Sequence, residues 1–169
     1  YPLLLEVDSR GGQKLCGHLP KYDASEIFHA QAPSALAIFQ GPSAYVSPSF
    51  YPSKALTGKV VPTWNYLVVH ARRTLTLIDD PSWVHEHLDA MTVQMESTRP
   101  SPWKVADAPT EYARLLQSKI FGFEIAIDSI EAKFKSSQNK SKADREGVRT
   151  GLDMQKPSAP PMYEFLVKD

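Results

Sequence analysis

The stretch Thr63–Ile78, with the sequence TWNYLVVHARRTLTLI, is the longest extended run in the chain. It is rich in β-branched and aromatic residues, which favour strands. Tyr66 and Val68 share one side of a period-two alternation, and Leu67 and Val69 share the other. Both sides carry apolar groups, so we expect a long strand inside a sheet rather than a loop or a helix.

Shorter extended segments occur on both sides of this run. Two of them flank the Ser9–Gly12 turn cluster and predict a hairpin, and two flank Gly41-Pro42 and predict a second turn. The strict alternation of Phe121, Phe123, Ile125 and Ile127 predicts one further strand that continues to Phe134. The predicted segments are Leu3–Val7, Lys14–Leu19, Ala35–Gln40, Ala44–Ser47 and Phe121–Phe134.

Four segments have helical signals. Asp79 or Asp80 followed by Pro81 is typical of a helix start, and Val84, Leu88, Met91 and Met95 recur at helical spacing after it. The other predicted helices are Asp23–Ala32, one opened by Asp107 and carrying Tyr112 to Ile120, and Ser141–Asp153. About six strands and three or four helices without regular βαβ alternation indicate a mainly β fold with peripheral helices (α+β). Its sheet should be largely antiparallel and able to close into a barrel.

Composition limits the class of protein. A chain of 169 residues is of the size of one domain. Its 19 basic and 19 acidic residues give a net charge of zero, so no overall electrostatic attraction to nucleic acid or anionic membranes is expected. Cys16 is the only cysteine, which excludes an internal disulfide and agrees with the cytoplasm. No run approaches the roughly 20 apolar residues of a membrane span, so we expect no membrane association.

The common nucleotide-binding and hydrolase motifs are missing from the sequence. His85 and His87 flank Glu86 on a predicted helix, but residues two apart point in different directions there. We therefore interpret this triplet as solvated helix surface and predict no metal site.

Three segments combine polar groups with aromatic rings: Gln40–Lys54, Val61–Tyr66 and Lys133–Lys140. Such sets suit a ligand with a phosphate, a polyol and a flat ring system, since cations and hydroxyls bind phosphate, amides bind hydroxyls and rings pack on rings. Flavin mononucleotide (FMN) has all three parts. The structural alternative is that the serines and prolines form turns, the rings fill the core and the basic segment is a solvated loop.

The order of these and further segments along the chain resembles that in the PaiB family, from about Leu3 to Leu152. Seven ordered motifs carry the resemblance: Phe39–Tyr51, Val61–Tyr66 with Val69–Ala71, Leu77–Asp80, Pro102–Trp103, Gly122–Ile125, Lys135–Asn139, and Asp144–Val148 with Gly151–Leu152. Family members usually carry a further helix and strand before the segment resembling Pro2–Leu5. We therefore expect one FMN-binding domain over residues 1–155 that lacks those elements, and a carboxy-terminal tail over residues 156–169.

The resemblance implies an FMN-binding split β-barrel that forms a homodimer with the cofactor at the subunit boundary. By family likeness, one part of the flavin site comes from the first two polar segments and the other from the late strand end. We expect Thr63 and Lys135 at the phosphate, Asn65 and Gln138 at the ribityl chain or ring edge, and Trp64 or Tyr66 packing on the ring. The full expected set is Ser47, Thr63, Trp64, Asn65, Tyr66, Lys135, Ser137, Gln138 and Asn139.

Four functions compete at this point. The resemblance favours an FMN-dependent negative transcriptional regulator that acts on DNA or through a regulatory partner protein, although Lys133–Arg149 has only a modest excess of cations. A flavin-dependent oxidoreductase is the second possibility. A haem-binding split barrel with His70 as axial ligand is the third, against the simpler view of His70 as a hydrogen-bonded core residue. The last is a structural domain whose site is empty.

Overall fold

The computed structural model describes residues 1–7, 9, 11–24 and 33–154. These residues form six strands, four α-helices and two short 3-10 segments, at Pro48–Phe50 and Val105–Asp107. The strands are β1 (Leu4–Val7), β2 (Gln13–Pro20), β3 (Ser34–Val46), β4 (Thr63–Ile78), β5 (Ile120–Ala126) and β6 (Ser129–Lys135). The helices are α1 (Ser53–Thr57), α2 (Pro81–Glu96), α3 (Thr110–Gln117) and α4 (Lys142–Asp153).

The strands hydrogen-bond in the order β1-β2-β5-β4-β3, and β6 also pairs with β4. The β1–β2, β2–β5 and β4–β5 pairs are antiparallel, with Leu15 opposite Ile125 and Leu77 opposite Phe123. The mainly β, largely antiparallel fold with peripheral helices that the sequence predicts is confirmed.

The chain forms two compact units. The first contains Tyr1–Leu36 and Ala71–Ser129, and the second contains Ala37–His70 and Ile130–Asp169. Strands β3 and β4 therefore contribute residues to both. The domain limits proposed from the sequence, residues 1–155 and 156–169, stay an expectation.

The core of the first unit includes residues of the neighbouring, paired strands β2 and β5. Leu15, Leu19, Phe121, Phe123 and Ile125 are all buried there. Helix α2 packs beside them, where Leu4, Cys16 and Met91 form a buried cluster against Trp83. Gly122 permits this packing, because a Cβ added at Gly122 would meet the Trp83 ring at 2.2 Å.

The core of the second unit lies between β3 and α4. Its buried members are Ala44, Val46, Tyr51, Val148 and Leu152. Helix α4 approaches the Pro48–Phe50 segment through two glycines one turn apart. A Cβ at Gly147 would lie 2.1 Å from the Phe50 carbonyl oxygen, and one at Gly151 would lie 2.4 Å from the Phe50 ring.

The turn predicted at Gly41-Pro42 is wrong, because β3 runs unbroken from Ser34 to Val46. Strand β3 ends the hydrogen-bonded order of the sheet, so a proline without an N–H is tolerated in it. Gly41 also lies close to β4, since a Cβ there would be 2.9 Å from the Leu67 Cβ. The Gly-Pro pair, which suggests a turn when only the sequence is considered, therefore lies within an edge strand.

The single strand predicted from Phe121 to Phe134 is also wrong. Strand β5 ends at Ala126 and β6 begins at Ser129, so a short connection separates them. Both strands pair with β4, and β5 also pairs with β2. Hydrophobic alternation across the connection hid this break.

Other predicted boundaries hold. Strand β4 has the expected limits, Asp80 caps α2 by accepting from the Ser82 N–H at 2.8 Å, and Ser141 caps α4. The start predicted for α3 is wrong: Asp107 belongs to the preceding 3-10 turn, and the helix begins at Thr110 after Pro109. Asp23 and Ala24 lie in a turn, and the rest of the helix predicted to Ala32 lies outside the described residues, as does the tail over residues 156–169.

Candidate functional site

The start of β4 and the end of β6 bring a cation and a hydroxyl together in the second unit. Lys135 Nζ donates a hydrogen bond to Thr63 Oγ1 at 2.6 Å, although the two residues are 72 positions apart. Both side chains are half-buried. A lysine held against a neighbouring hydroxyl has lost much of the freedom of a surface lysine, so this pair is a preorganised polar group.

A buried polar pair joins Asn65, two residues further along β4, to Ser137, two residues beyond the end of β6. Asn65 Nδ2 donates to Ser137 Oγ at 3.0 Å, and Ser137 Oγ lies 3.2 Å from Asn65 Oδ1. Asn65 is fully buried and Ser137 is 4 % exposed. Within the described ranges, Ser137 is the only non-glycine residue with a positive φ, at 63°. Such a conformation costs free energy and is retained where neighbouring contacts hold it.

The two remaining residues of the predicted late segment differ from each other. Gln138 Oε1 accepts from the Ser136 backbone N–H at 2.7 Å, and Gln138 Nε2 donates to the Phe134 carbonyl at 2.8 Å. Its amide therefore closes the turn after β6. Asn139 is exposed. Direct ligand contact by either residue stays a prediction.

The structure does not bring Ser47, Trp64 and Tyr66 to the Lys135–Thr63 pair. Ser47 caps the Pro48–Phe50 segment, where its Oγ accepts from the Ser49 N–H at 3.2 Å. Trp64 and Tyr66 alternate with Thr63 and Asn65 along β4, so they point to the other face of the strand. Trp64 is 56 % exposed and packs edge-on against Tyr45, with 5.9 Å between ring centroids.

Tyr51 stands close to the buried pair and was not predicted as a site residue. Its ring is 2 % exposed, and Lys140 Nζ lies 5.1 Å from the ring centroid. Burial raises the pKa of the Tyr51 hydroxyl, and Asp144 adds to that effect. The hydroxyl lies near Ser137 but outside hydrogen-bond geometry, so it has no partner among the described residues.

Asp144 anchors the start of α4 to α1. Its carboxylate accepts from the Ser53 N–H at 3.1 Å and from Ser53 Oγ at 2.9 Å. Burial alone would raise the pKa of Asp144, but the hydrogen bonds from Ser53 outweigh burial and hold it below the ordinary value. The chain after β6 is therefore held by hydrogen bonds at Ser137 and again at Asp144, at the start of α4.

The interpretation of both histidines of α2 as solvated surface is wrong for His87. His85 is exposed, but His87 is 4 % exposed, lies 3.2 Å from His18 Nδ1 through its Nε2, and stacks on Trp83. The spacing of Val84, His87 and Met91 by three and four residues would have revealed the buried face.

No group of three or more histidine, cysteine or carboxylate side chains suited to a metal ion occurs among the described residues. No helix of the described part of the chain has both the length and the apolar character of a membrane span.

The chain thus combines a mainly β fold with a lysine–threonine pair and a buried asparagine–serine pair that join β4 to the chain at and just after the end of β6. The family described as "Putative FMN-binding domain" matches residues 1–129, and the chain belongs to this family. Thr63 and Asn65 lie within the matched range, while Lys135 and Ser137 lie beyond it.

The relatives agree with this assignment. An uncharacterized protein of Emericella nidulans is 39 % identical over 129 residues, which cover 70 % of this chain and 51 % of that protein. Protease synthase and sporulation protein PAI 2 of Bacillus subtilis is 33 % identical over 137 residues, covering 78 % of this chain and 61 % of that protein. The PaiB resemblance is confirmed. The chain spans about half the length of the fungal relatives it matches.

Among solved structures, the FAD and heme binding protein from Mycobacterium smegmatis is similar. The match has a TM-score of 0.53 and 16 % identity, and covers 89 % of this chain and 65 % of that chain. At this identity the likeness concerns the fold, and it agrees with the predicted split-barrel class.

Proposed function

We propose that this chain binds FMN, with Thr63 and Lys135 holding the phosphate, and that it serves as a PaiB-type regulatory domain. The observation that carries the proposal is the 2.6 Å contact between Lys135 Nζ and Thr63 Oγ1. Family membership supports a flavin ligand, and the geometry of the strand ends supports this position for its phosphate.

The donors of this pair fit a phosphate monoester. When Lys135 donates one N–H to Thr63 Oγ1, two N–H groups of the ammonium and the O–H of Thr63 are left to donate. The phosphate oxygens of FMN only accept when fully ionised, and charge-assisted hydrogen bonds to them are the strong ones. A carboxylate at the same place would repel the phosphate, and none contacts the pair within the described residues.

The residues around the Lys135–Thr63 pair have different roles in the proposed site. Asn65 and Ser137 are buried behind it and position the strand ends, while Trp64 offers an exposed ring on the other face of β4. FMN, when bound, supplies hydride and electron transfer chemistry, and the protein supplies binding and orientation.

A homodimer is part of the proposal. Six large apolar side chains of the second unit are exposed by 40 to 56 %: Ile38, Phe39, Tyr45, Trp64, Ile130 and Phe134. Ile38 and Phe39 are consecutive on β3 and point to opposite sides, so the six side chains do not form one face. Exposed apolar side chains on the strands of one unit are typical of surfaces covered by a partner. A second copy of the chain is the occupant that the family resemblance implies.

The binding test is an FMN titration followed by quenching of flavin fluorescence. We expect Lys135→Met and Thr63→Val each to weaken binding by about tenfold or more, because each removes a charge-assisted contact. Lys59→Ala is the matched control: this exposed lysine lies in the same unit, in the loop before β4, and its loss should change Kd by less than about twofold. Unchanged affinity in Lys135→Met, or no binding by the unsubstituted protein, would refute the site.

A second assay separates the regulator from the oxidoreductase. The Bacillus subtilis relative is named for protease synthesis and sporulation, which supports a regulatory role here. We expect the FMN-loaded protein to oxidise reduced nicotinamide no faster than free FMN at equal concentration. Sustained turnover that is lost in Lys135→Met would instead make this chain a flavin-dependent oxidoreductase.

A further inference from the structure

Two imidazoles meet where helix α2 packs on the sheet of the first unit. His18 Nδ1 on β2 and His87 Nε2 on α2 are 3.2 Å apart, with the ring planes at 67°. One ring must donate and the other accept, so the contact needs a single proton between the two nitrogens. Two protonated rings, which both donate, cannot form this contact, whereas two neutral rings can.

The surroundings of His87 favour a neutral ring. His87 is 4 % exposed, and Trp83 covers one face at 5.1 Å between centroids and 12° between planes. Its Nδ1 is buried with no hydrogen-bond partner among the described residues. A second proton on this ring would therefore place a buried N–H without an acceptor and a buried charge without water.

The charged groups nearby are already engaged with one another. Lys14 on β2 pairs with Glu124 on β5 at 2.6 Å and with Glu6 on β1 at 3.2 Å. Trp83 Nε1 also donates to Glu124 at 3.2 Å. Glu6 favours a charged His87, but burial first and the neighbouring His18 second act against it, and together they lower the pKa of His87. Burial also lowers the pKa of His18.

The remaining titratable groups on these elements do not compensate a charge on the pair. On α2, His85 and Asp89 are exposed and lie 3.5 Å apart, and from α3 the neutral Gln117 contacts His85. On β2, Cys16 is fully buried, and burial is the main cause that raises the pKa of its thiol to about 12. The side of α2 that faces the sheet thus has no free carboxylate in the described contacts.

We propose that His18 and His87 form an acid-sensitive latch, which holds α2 on β2 while both rings are neutral and releases the helix when either ring takes up an additional proton and becomes charged. Release would expose both sides of the apolar contact between α2 and the strands, which are Leu4 and Cys16 on the strands and Trp83 and Met91 on the helix. The consequence is a pH-controlled apolar surface in the first unit, separate from the flavin site proposed in the second.

Cys16 reports this opening directly, because it is the only cysteine of the chain and is fully buried under α2. The measurement is the rate of Cys16 modification by 4,4′-dithiodipyridine in the full chain, divided by the rate for glutathione at the same pH. For one histidine with an ordinary pKa near 6.5 when released, the opening constant rises by up to about 30-fold between about pH 7.5 and about pH 5. We expect a rise of between about 3-fold and about 30-fold.

Two variants and one control decide the outcome. His87→Phe keeps a ring on Trp83 without a titrating group, and His18→Gln keeps the helix face intact. Each leaves one histidine that can still take up a proton on release, so each alone should reduce the rise, and the two combined should flatten the pH dependence to less than about twofold. His85→Gln removes the exposed histidine of the same helix and should leave the rise unchanged. A flat profile in the unsubstituted chain, or a rise that persists when both substitutions are combined, overturns the latch.

Global unfolding is separated by urea titration followed by circular dichroism at both pH values. If Cys16 becomes reactive only to the extent that the whole chain unfolds, the pair is a contributor to overall stability and the latch proposal fails. Reactivity that rises while the urea midpoint stays well above zero supports local release of α2.

Discussion

Replacing Gly147 by alanine tests the close packing of α4 on the Pro48–Phe50 segment. An alanine in the middle of a helix is ordinarily favoured over glycine by about 1 kcal/mol, because glycine loses more backbone entropy on folding. Here the added Cβ would lie 2.1 Å from the Phe50 carbonyl oxygen and 2.8 Å from Pro52 Cδ. The first contact is with backbone, so α4 or the segment must move by about 1 Å, and such overpacking costs about 1–3 kcal/mol.

The two effects have opposite signs, which makes the result decisive. The overpacking cost less the gain in helix propensity leaves a net loss of up to about 2 kcal/mol. We therefore expect Gly147→Ala to lower the free energy of unfolding by up to about 2 kcal/mol, measured by urea titration with circular dichroism. Thr150→Ala, at an exposed position of the same helix, is the control and should stabilise by up to about 0.7 kcal/mol through helix propensity. A Gly147→Ala protein more stable than the original would refute the packing argument.

Two other predictions concern the buried polar groups of the second unit. Asn65→Ala leaves the Ser137 hydroxyl buried without its partner, so it should lower the free energy of unfolding, measured in urea, by about 1–3 kcal/mol. The control Asn139→Ala changes an exposed residue and should alter this free energy by less than about 0.5 kcal/mol. Equal effects of the two substitutions would contradict the role assigned to Asn65. The folded-state pKa of Asp144 is lowered, so its contribution to stability is complete above the unfolded pKa near 3.9 and is lost as pH falls through the folded value. Asp144→Asn should therefore be less stable than the original at neutral pH and show a shallower stability loss below about pH 4 in urea titrations; parallel pH profiles for the two proteins would exclude this carboxylate as a source of acid sensitivity.

Much of the fold was predictable because its signals are local. Strand β4 and helix α2 were assigned from their period and from the Asp-Pro start of the helix, and both have the expected limits. Strand β3 was misread because Gly41-Pro42 has the same sequence signature in a turn and on an edge strand, and only the order of strands decides between them. The buried position of His87 could have been predicted from helical spacing. Its contact with His18 could not, because His18 lies on a strand 69 residues away in the sequence.

The candidate site was predictable as a set of residues and not as an arrangement. Sequence order could place Thr63, Trp64 and Asn65 on one strand and Lys135 and Ser137 on another segment. Which of them meet depends on the pairing of β6 with β4, a tertiary contact without a local signal. Geometry then divides the nine predicted residues into a cation–hydroxyl pair, a buried pair, a turn-closing amide and groups that lie elsewhere.

The buried pair explains why the cation–hydroxyl pair can be specific. Both contacts join the start of β4 to the chain at and just after the end of β6, Thr63 with Lys135 and Asn65 with Ser137. A slip of one residue would turn Thr63 and Asn65 to the opposite face and place Trp64 among the buried polar groups. An amide and a hydroxyl that satisfy each other only in the correct register penalise that slip, because either group left alone in the interior is costly. Asn65 therefore fixes where Lys135 meets Thr63, and in the proposed site those two side chains would contact the phosphate.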